Sequence, residues 1–232
     1  IKIIWKPVLF ILLAFVLIAG IAFPIVPQPQ KWYEFPLIPG LEEKARIIFF
    51  HVPVAWLSVV AFFMTMIFGI KYLRKQNPDD DLKSFSALQL GFVFCILATI
   101  TGSIWAKFTW GAFWHWDPRE TSIFVLLLIY GALFALRSAI QDEEKRAKLS
   151  AVYSVIAFLT VPFFVFIMPR IMTGLHPGSV NDDTSGPVID FTMNGNMMLI
   201  FYLSLFSFSV LFFWLWNINY RLLIIKDKLF KQ

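Results

Sequence analysis

Long apolar blocks alternate with short polar connections along the whole chain. The blocks run from Val8 to Val26, Ile47 to Ile70, Phe85 to Ala106, Thr121 to Ile140, Ala151 to Met172 and Met197 to Ile218. A helix needs about 20 consecutive apolar residues to cross a hydrocarbon core roughly 30 Å thick, so each block has the length of one crossing. None shows the period-two alternation of a membrane β-barrel strand. The pattern predicts an all-α polytopic membrane protein, with residues 1–232 forming a single bundle of six transmembrane helices. Lys2 and Lys6 precede the first block as they would in a secretory signal. The apolar run that follows exceeds the usual roughly 7–15 residues and no clear small-x-small cleavage site closes it, so the first block is expected to stay as a helix.

Composition agrees with this reading: 59% of the residues are hydrophobic and 15% charged, against about 25% charged in a soluble domain. Charge then orients the bundle. Fourteen of the 20 Lys and Arg residues fall in the amino-terminal segment, the second and fourth connections and the tail, and six fall in the other three connections. Basic residues concentrate on the cytoplasmic side, so both ends are expected there, in a bacterial inner membrane. The net charge of +5 is a topology signal. Its dispersal over short connections argues against nucleic acid as a partner and for the lipid bilayer. Acidic runs such as Asp79 to Asp81 and Asp142 to Glu144 are expected to solvate helix ends. Cys95 is the only cysteine, which excludes an internal disulfide and a C-x-x-C-H haem attachment.

The outer face carries the chemistry. All three histidines, His51, His115 and His176, fall on it or just beneath it. His51 is expected about 6 Å inside the outer start of the second span, counted from Ile47. An ionisable residue there faces the bundle interior or a cavity, unless it is an interfacial histidine bonded to a backbone carbonyl. His176 follows the fifth span on a turn rich in Pro and Gly, where a histidine is often only solvent-exposed. Between spans three and four, residues 105–121 hold four of the nine tryptophans, with Phe108 and Phe113 interleaved. Interfacial enrichment of tryptophan accounts for one or two of these. A dense aromatic shelf suits a large flat apolar ligand such as a porphyrin. Histidine is a standard axial ligand to its iron, and Arg119 or Lys107 could meet its propionates. Asp117-Pro118-Arg119-Glu120 also reads as a capping box opening span four. His115, between Trp114 and Trp116, could point either way and is not taken as an iron ligand.

WGAFWHWDPRET resembles the tryptophan-rich "WWD" signature of the CcmC/CcsA haem-handling membrane proteins of cytochrome c maturation. The likeness extends to FFHVPVAW around His51 and TGLHPG around His176. It implies non-covalent haem b on the outer, periplasmic face, with His51 and His176 as axial ligands to the iron. Trp110, Trp114, Trp116 and Asp117 match signature positions, and Arg119 a basic position beside them. A six-span chain of this length is similar to CcmC, which presents haem to the chaperone CcmE and associates with the CcmA and CcmB transporter subunits and CcmD. Asp-Pro-Arg-Glu-Thr after the last signature tryptophan is closer to the CcsA spelling, so a CcsA-type haem-lyase component is the alternative, and a haem-export permease subunit a further one. No nucleophile constellation, metal-hydrolase spacing or phosphate loop stands in the sequence. The polar stretch from Ser179 to Asn196, with Asn181, Asp182, Asp183 and Gly186, is expected to be a flexible loop or a docking surface for the chaperone.

Overall fold

A computed structural model describes residues 4–176, 179, 193 and 195–230. Six helical segments among them are long and apolar enough to cross a membrane. They are α1 (Trp5–Ala22), α2 (His51–Lys75), α3 (Pro78–Trp110), α4 (Pro118–Ala139), α5 (Glu143–Pro162) and α7 (Gly195–Phe230). A π turn (Phe163–Ile167) and the short α6 (Met168–Ile171) extend α5. Six crossings put the two ends of the bundle on one side. Most of the Ser179 to Asn196 stretch lies outside the described residues.

Helix starts carry the expected chemistry. Asn77 caps α3 by accepting from the Asp79 amide, with Pro78 at the first helical position. Asp142 caps α5 by accepting from the Lys145 amide at 2.6 Å. Such caps satisfy amides that have no partner within the helix.

α2 is the central helix, packed against α3, α5 and α7, while α1 stands at the edge against α7. Lipid tails are as apolar as the helices, so association in a bilayer relies on close packing at small residues and on hydrogen bonds between helices. Both are present. A Cβ at Gly91 would fall 2.9 Å from the Ala61 Cβ, and one at Gly69 would fall 2.5 Å from the Ser154 Oγ. Ser84 Oγ donates across to the Thr65 carbonyl at 2.9 Å, and Tyr153 OH donates to the Ile129 carbonyl at 2.9 Å. Phe62 and Tyr130 stack face to face at the centre, their ring centroids 3.5 Å apart.

The structure departs from the apolar pattern at the outer face. The first block ends as a helix at Ala22, because Pro24 and Pro27 cannot donate to a helical carbonyl. Ile25–Val26 (β1) instead pairs in parallel with Phe35–Pro36 (β2). Residues Glu42–Phe49 form a 3₁₀ helix, and α2 begins only at His51. His51 therefore sits in the first α-helical turn rather than a full turn inside the span. The π turn lies between Pro162 and Pro169, and Arg170 Nη1 donates to the Phe166 carbonyl at 2.9 Å.

The acidic run at the start of α3 does more than solvate a helix end. Arg137 of α4 makes a two-pronged ion pair with Asp81, at 2.7 and 2.9 Å, with both side chains nearly excluded from solvent. Arg137 also lies over the Phe85 ring at 4.3 Å. Asp79 meets Lys83 at 2.5 Å and the Tyr220 hydroxyl of α7. Removing one partner of a largely buried pair leaves the other uncompensated. Arg137→Met is expected to destabilise the bundle by about 3–5 kcal/mol, read as a lowered thermal midpoint of the detergent-solubilised protein; an unchanged midpoint would show that water reaches Asp81.

Candidate functional site at the outer face

The last turns of α3 form the scaffold on which the outer-face residues assemble. His51 packs on this helix from the start of α2: its Nδ1 lies 2.9 Å from Thr101 Oγ1, and a Cβ added at Gly102 would fall 3.1 Å from its Cε1. Thr101 Oγ1 donates its single proton to the Leu97 carbonyl at 2.8 Å. With that proton on the backbone the oxygen can accept from His51 Nδ1, the tautomer that would leave the lone pair on Nε2. Four residues on, at a rise of about 6 Å, Trp105 meets His176, their ring centroids 5.7 Å apart. Trp105 is itself held by a 2.9 Å bond from its indole N–H to the Lys44 carbonyl of the 3₁₀ helix. Trp110 lies against Trp105 at 5.1 Å and against His176 at 6.3 Å. His51 and His176 thus pack against side chains from successive outer turns of α3.

α3 ends at Gly111, whose φ of +90° favours glycine. Lys107 Nζ donates to the Gly111 carbonyl at 2.8 Å and lies over Phe113, so this cation serves the helix end. The chain then turns back through Trp116, a non-glycine residue at φ +58°, a conformation costing roughly 1–2 kcal/mol. The capping box of α4 holds it there. Asp117 Oδ1 accepts from the Arg119 amide at 2.9 Å, and Glu120 Oε2 accepts from the amides of His115 at 2.7 Å and Asp117 at 3.3 Å.

Asp117 has a second task that its sequence neighbours do not show. Its Oδ2 accepts from the Leu175 amide at 2.7 Å and, more weakly, from the His176 amide at 3.4 Å. Gly174 permits this approach, since a Cβ there would fall 2.6 Å from the same oxygen. Ser179 Oγ closes the turn onto the Gly174 carbonyl at 2.8 Å. One buried carboxylate therefore opens α4 and fixes the turn bearing His176.

The loop tryptophans divide into two groups. Trp105 and Trp110 face the histidines, with His115 against Trp110 at 5.9 Å. Trp114 and Trp116 turn away and form an edge-to-face trio with Phe124 of α4, at 5.8 to 6.2 Å. Trp116 is two-thirds exposed. Of the sequence candidates, the structure brings together His51, His176, Trp110 and Asp117 around the end of α3 and places Trp114 and Trp116 on the neighbouring flank. Thr101, Gly102 and Trp105 were not singled out as site residues. The one sequence hint was a Thr-Gly pair one turn before a tryptophan.

Six buried side-chain polar atoms have no hydrogen-bond partner among the described residues, and four of them lie between positions 109 and 120: Thr109 Oγ1, His115 Nε2, Arg119 Nε and Glu120 Oε1. Buried polar atoms are nearly always paired. Their concentration in one short stretch sets this loop apart from the rest of the described residues.

These features define a polytopic helical membrane protein with a candidate site of histidines, tryptophans and an arginine. The chain belongs to the family described as haem exporter protein C, whose model matches residues 2–232. It is 35% identical over 135 residues to haem exporter protein C of Bradyrhizobium diazoefficiens, covering 58% of this chain and 51% of the relative. It is 29% identical over 182 residues to haem exporter protein C of Haemophilus influenzae, covering 78% and 72%. A putative cytochrome c biosynthesis ccmC-like mitochondrial protein of Marchantia polymorpha is 31% identical over 171 residues, covering 74% and 71%. Several alignments span about half the length of the relative. The match decides between the two spellings of the signature in favour of CcmC.

The capping box makes a prediction of its own. Glu120→Ala removes the acceptor of two loop amides and is expected to cost about 1–2 kcal/mol and to speed proteolytic cleavage between residues 111 and 116 in detergent. Glu120→Gln, which keeps an acceptor oxygen, should stay near the parent rate. Equal cleavage of both variants and the parent would mean that the cap does not hold the loop.

Proposed function

We propose that this protein binds haem as cargo on the outer face of a bacterial inner membrane and presents it to a haem chaperone of the CcmE type during cytochrome c maturation. The observation that carries this reading is the packing of His51 and His176 against side chains from successive outer turns of α3, beneath an aromatic loop. A flat apolar macrocycle needs aromatic area and its iron needs imidazole nitrogens; both stand at the end of one helix. The buried groups also fit the polar rim of such a ligand. Arg119 Nε is buried without a partner, and a planar guanidinium suits a carboxylate such as a propionate. The names carried by the relatives from Bradyrhizobium and Marchantia point the same way.

In this reading haem b is held without a covalent bond and supplies the iron and the redox chemistry. The protein's own part is binding and orientation. With Thr101 at Nδ1, His51 would offer Nε2 to the iron, and His176 would offer its imidazole from the turn fixed by Asp117. Trp105 and Trp110 give the apolar wall, and Arg119 meets the propionate edge. Trp114 and Trp116 belong to the outward flank, where a chaperone would approach. CcmA, CcmB and CcmD are the expected membrane partners.

The test is an absorption spectrum with a pyridine haemochrome assay on detergent-purified protein expressed with ample haem. A low-spin Soret band is expected in the parent, lost or strongly shifted in His51→Ala and His176→Ala and little changed in His115→Ala. Folded protein that takes up no haem, or equal losses in all three variants, would overturn the assignment. Trp110→Ala, which removes part of the wall beside His176, should lower haem occupancy and leave the ligation of the remainder unchanged.

A further inference from the structure

In its inner half α7 presents two different flanks. One faces α3: Phe212 meets Phe94 edge to face, and Trp216 and Asn219 bond with Ser86. About a third of a turn away, Phe206, Ser209, Phe213 and Asn217 recur at intervals of three or four residues, the spacing of a single stripe on a helix. With Trp5 and Trp214 they line an open groove of about 520 Å³ beside α1. Its floor is apolar, because Ser209 Oγ turns back to the Leu205 carbonyl of its own helix at 2.6 Å. Its walls are aromatic, with Trp5 edge to face on Trp214 and both Phe206 and Phe213 exposed. From Phe206 to Asn217 the groove runs roughly 16 Å, about half of a hydrocarbon core of roughly 30 Å. Trp5 opens α1, so the groove occupies the half of the membrane at the basic end of the bundle. In a bilayer such a concavity is filled by lipid or by another helix.

The inner mouth of the groove is cationic. Lys6 Nζ lies 5.2 Å from the centre of the Trp214 ring, Arg221 follows Asn217 by one turn of α7, and both basic residues are exposed. The first turn of α1 holds no acidic residue, and Asp79 of α3 is engaged by Lys83 and Tyr220 on the other flank. We propose that this groove seats one acyl chain of an anionic phospholipid of the cytoplasmic leaflet, with its phosphate among Lys6, Asn217 and Arg221. The span of the groove matches the chain of one leaflet. Basic pockets between helices on the cytoplasmic side favour anionic head groups, and tryptophans such as Trp5 and Trp214 belong at head-group level. A partner helix would need small residues for close approach, and of the lining residues Ser209 alone is small. A second copy related by a two-fold axis along the membrane normal would set Lys6 and Arg221 against their own counterparts at the same depth. α1 packs on α7 and the 3₁₀ helix at the edge of the bundle, so a seated lipid gives its inner end a further support.

The test is native mass spectrometry of the full chain in detergent, titrated with phosphatidylglycerol and with phosphatidylethanolamine carrying the same acyl chains. The parent is expected to hold one phosphatidylglycerol about twentyfold more tightly than phosphatidylethanolamine, close to fivefold for each of the two basic side chains. Lys6→Gln should lower the affinity for phosphatidylglycerol about fivefold and leave that for phosphatidylethanolamine unchanged. Ser209→Phe fills the floor of the groove and should weaken both lipids about tenfold, the equivalent of roughly two buried methylenes, whereas Ser209→Ala should bind as the parent does. Equal affinity of the parent for the two lipids would overturn the proposal, as would parent-like binding of phosphatidylglycerol in Lys6→Gln or in folded Ser209→Phe. So would a dimer, or a single-span polypeptide retained at one copy per chain, that excludes the lipid and is lost in Ser209→Phe; the groove would then belong to a second copy or to a partner helix. Lys6 is exposed, so Lys6→Gln decides the matter even where Ser209→Phe does not fold.

Discussion

A bilayer leaves no water to satisfy backbone groups, so every interruption of a helix near its hydrocarbon core must be closed by the protein itself. The outer half of this bundle is a series of such closures. Where α1 stops, Arg46 Nη1 donates to the carbonyls of Gly20 and Phe23, at 3.0 and 2.8 Å. Where the 3₁₀ helix hands over to α2, Ser204 donates to the Phe49 carbonyl at 2.5 Å. The π turn is answered by Arg170, the 3₁₀ carbonyl of Lys44 by Trp105, and the start of α4 by Asp117. Two side chains of the candidate site, Trp105 and Asp117, are among those that perform these closures.

This double use explains why the family's charged and aromatic residues are hard to assign one role each. Asp117 sits at a position associated with haem in the signature, and in the structure both its oxygens face backbone amides. What it does in the structure is place the turn that bears His176. Lys107, a candidate cation by sequence, is turned to the end of α3. Arg119 retains a buried, unpartnered Nε, and it is the cation best suited to a carboxylate. The four loop tryptophans likewise serve two surfaces, an inner wall beside the histidines and an outward flank packed on Phe124.

Much of this was legible before any coordinates. The six crossings follow from apolar block length, and the cap at Asp117 from four consecutive residues, because both depend on interactions local in sequence. The helix boundaries at the outer face were not, since prolines 24 and 27 end α1 while the residues that compensate, Arg46 above all, lie some twenty positions away. Thr101 and Gly102 escaped notice for the same reason. A threonine and a glycine inside an apolar span carry no signal until α2 brings His51 against them. The bond from Asp117 to Leu175 spans 58 positions, and no local pattern announces it. The split of the tryptophans was equally hidden, because it depends on the left-handed backbone at Trp116.

The inner end of α7 has a consequence for how the bundle keeps its register. This helix has 36 residues and so reaches about 54 Å, well beyond a hydrocarbon core of roughly 30 Å; apolar contacts along such a rod would tolerate sliding. Asn219 Nδ2 reaches Ser86 Oγ at 3.1 Å and Gln89 Oε1 at 3.0 Å, while Ser86 donates to the Trp216 carbonyl. A slip of one turn would strand all of these groups together. They act as a detent, a notch that admits α7 at a single height, and that height fixes where Ser204 meets the handover into α2 on the opposite side of the membrane.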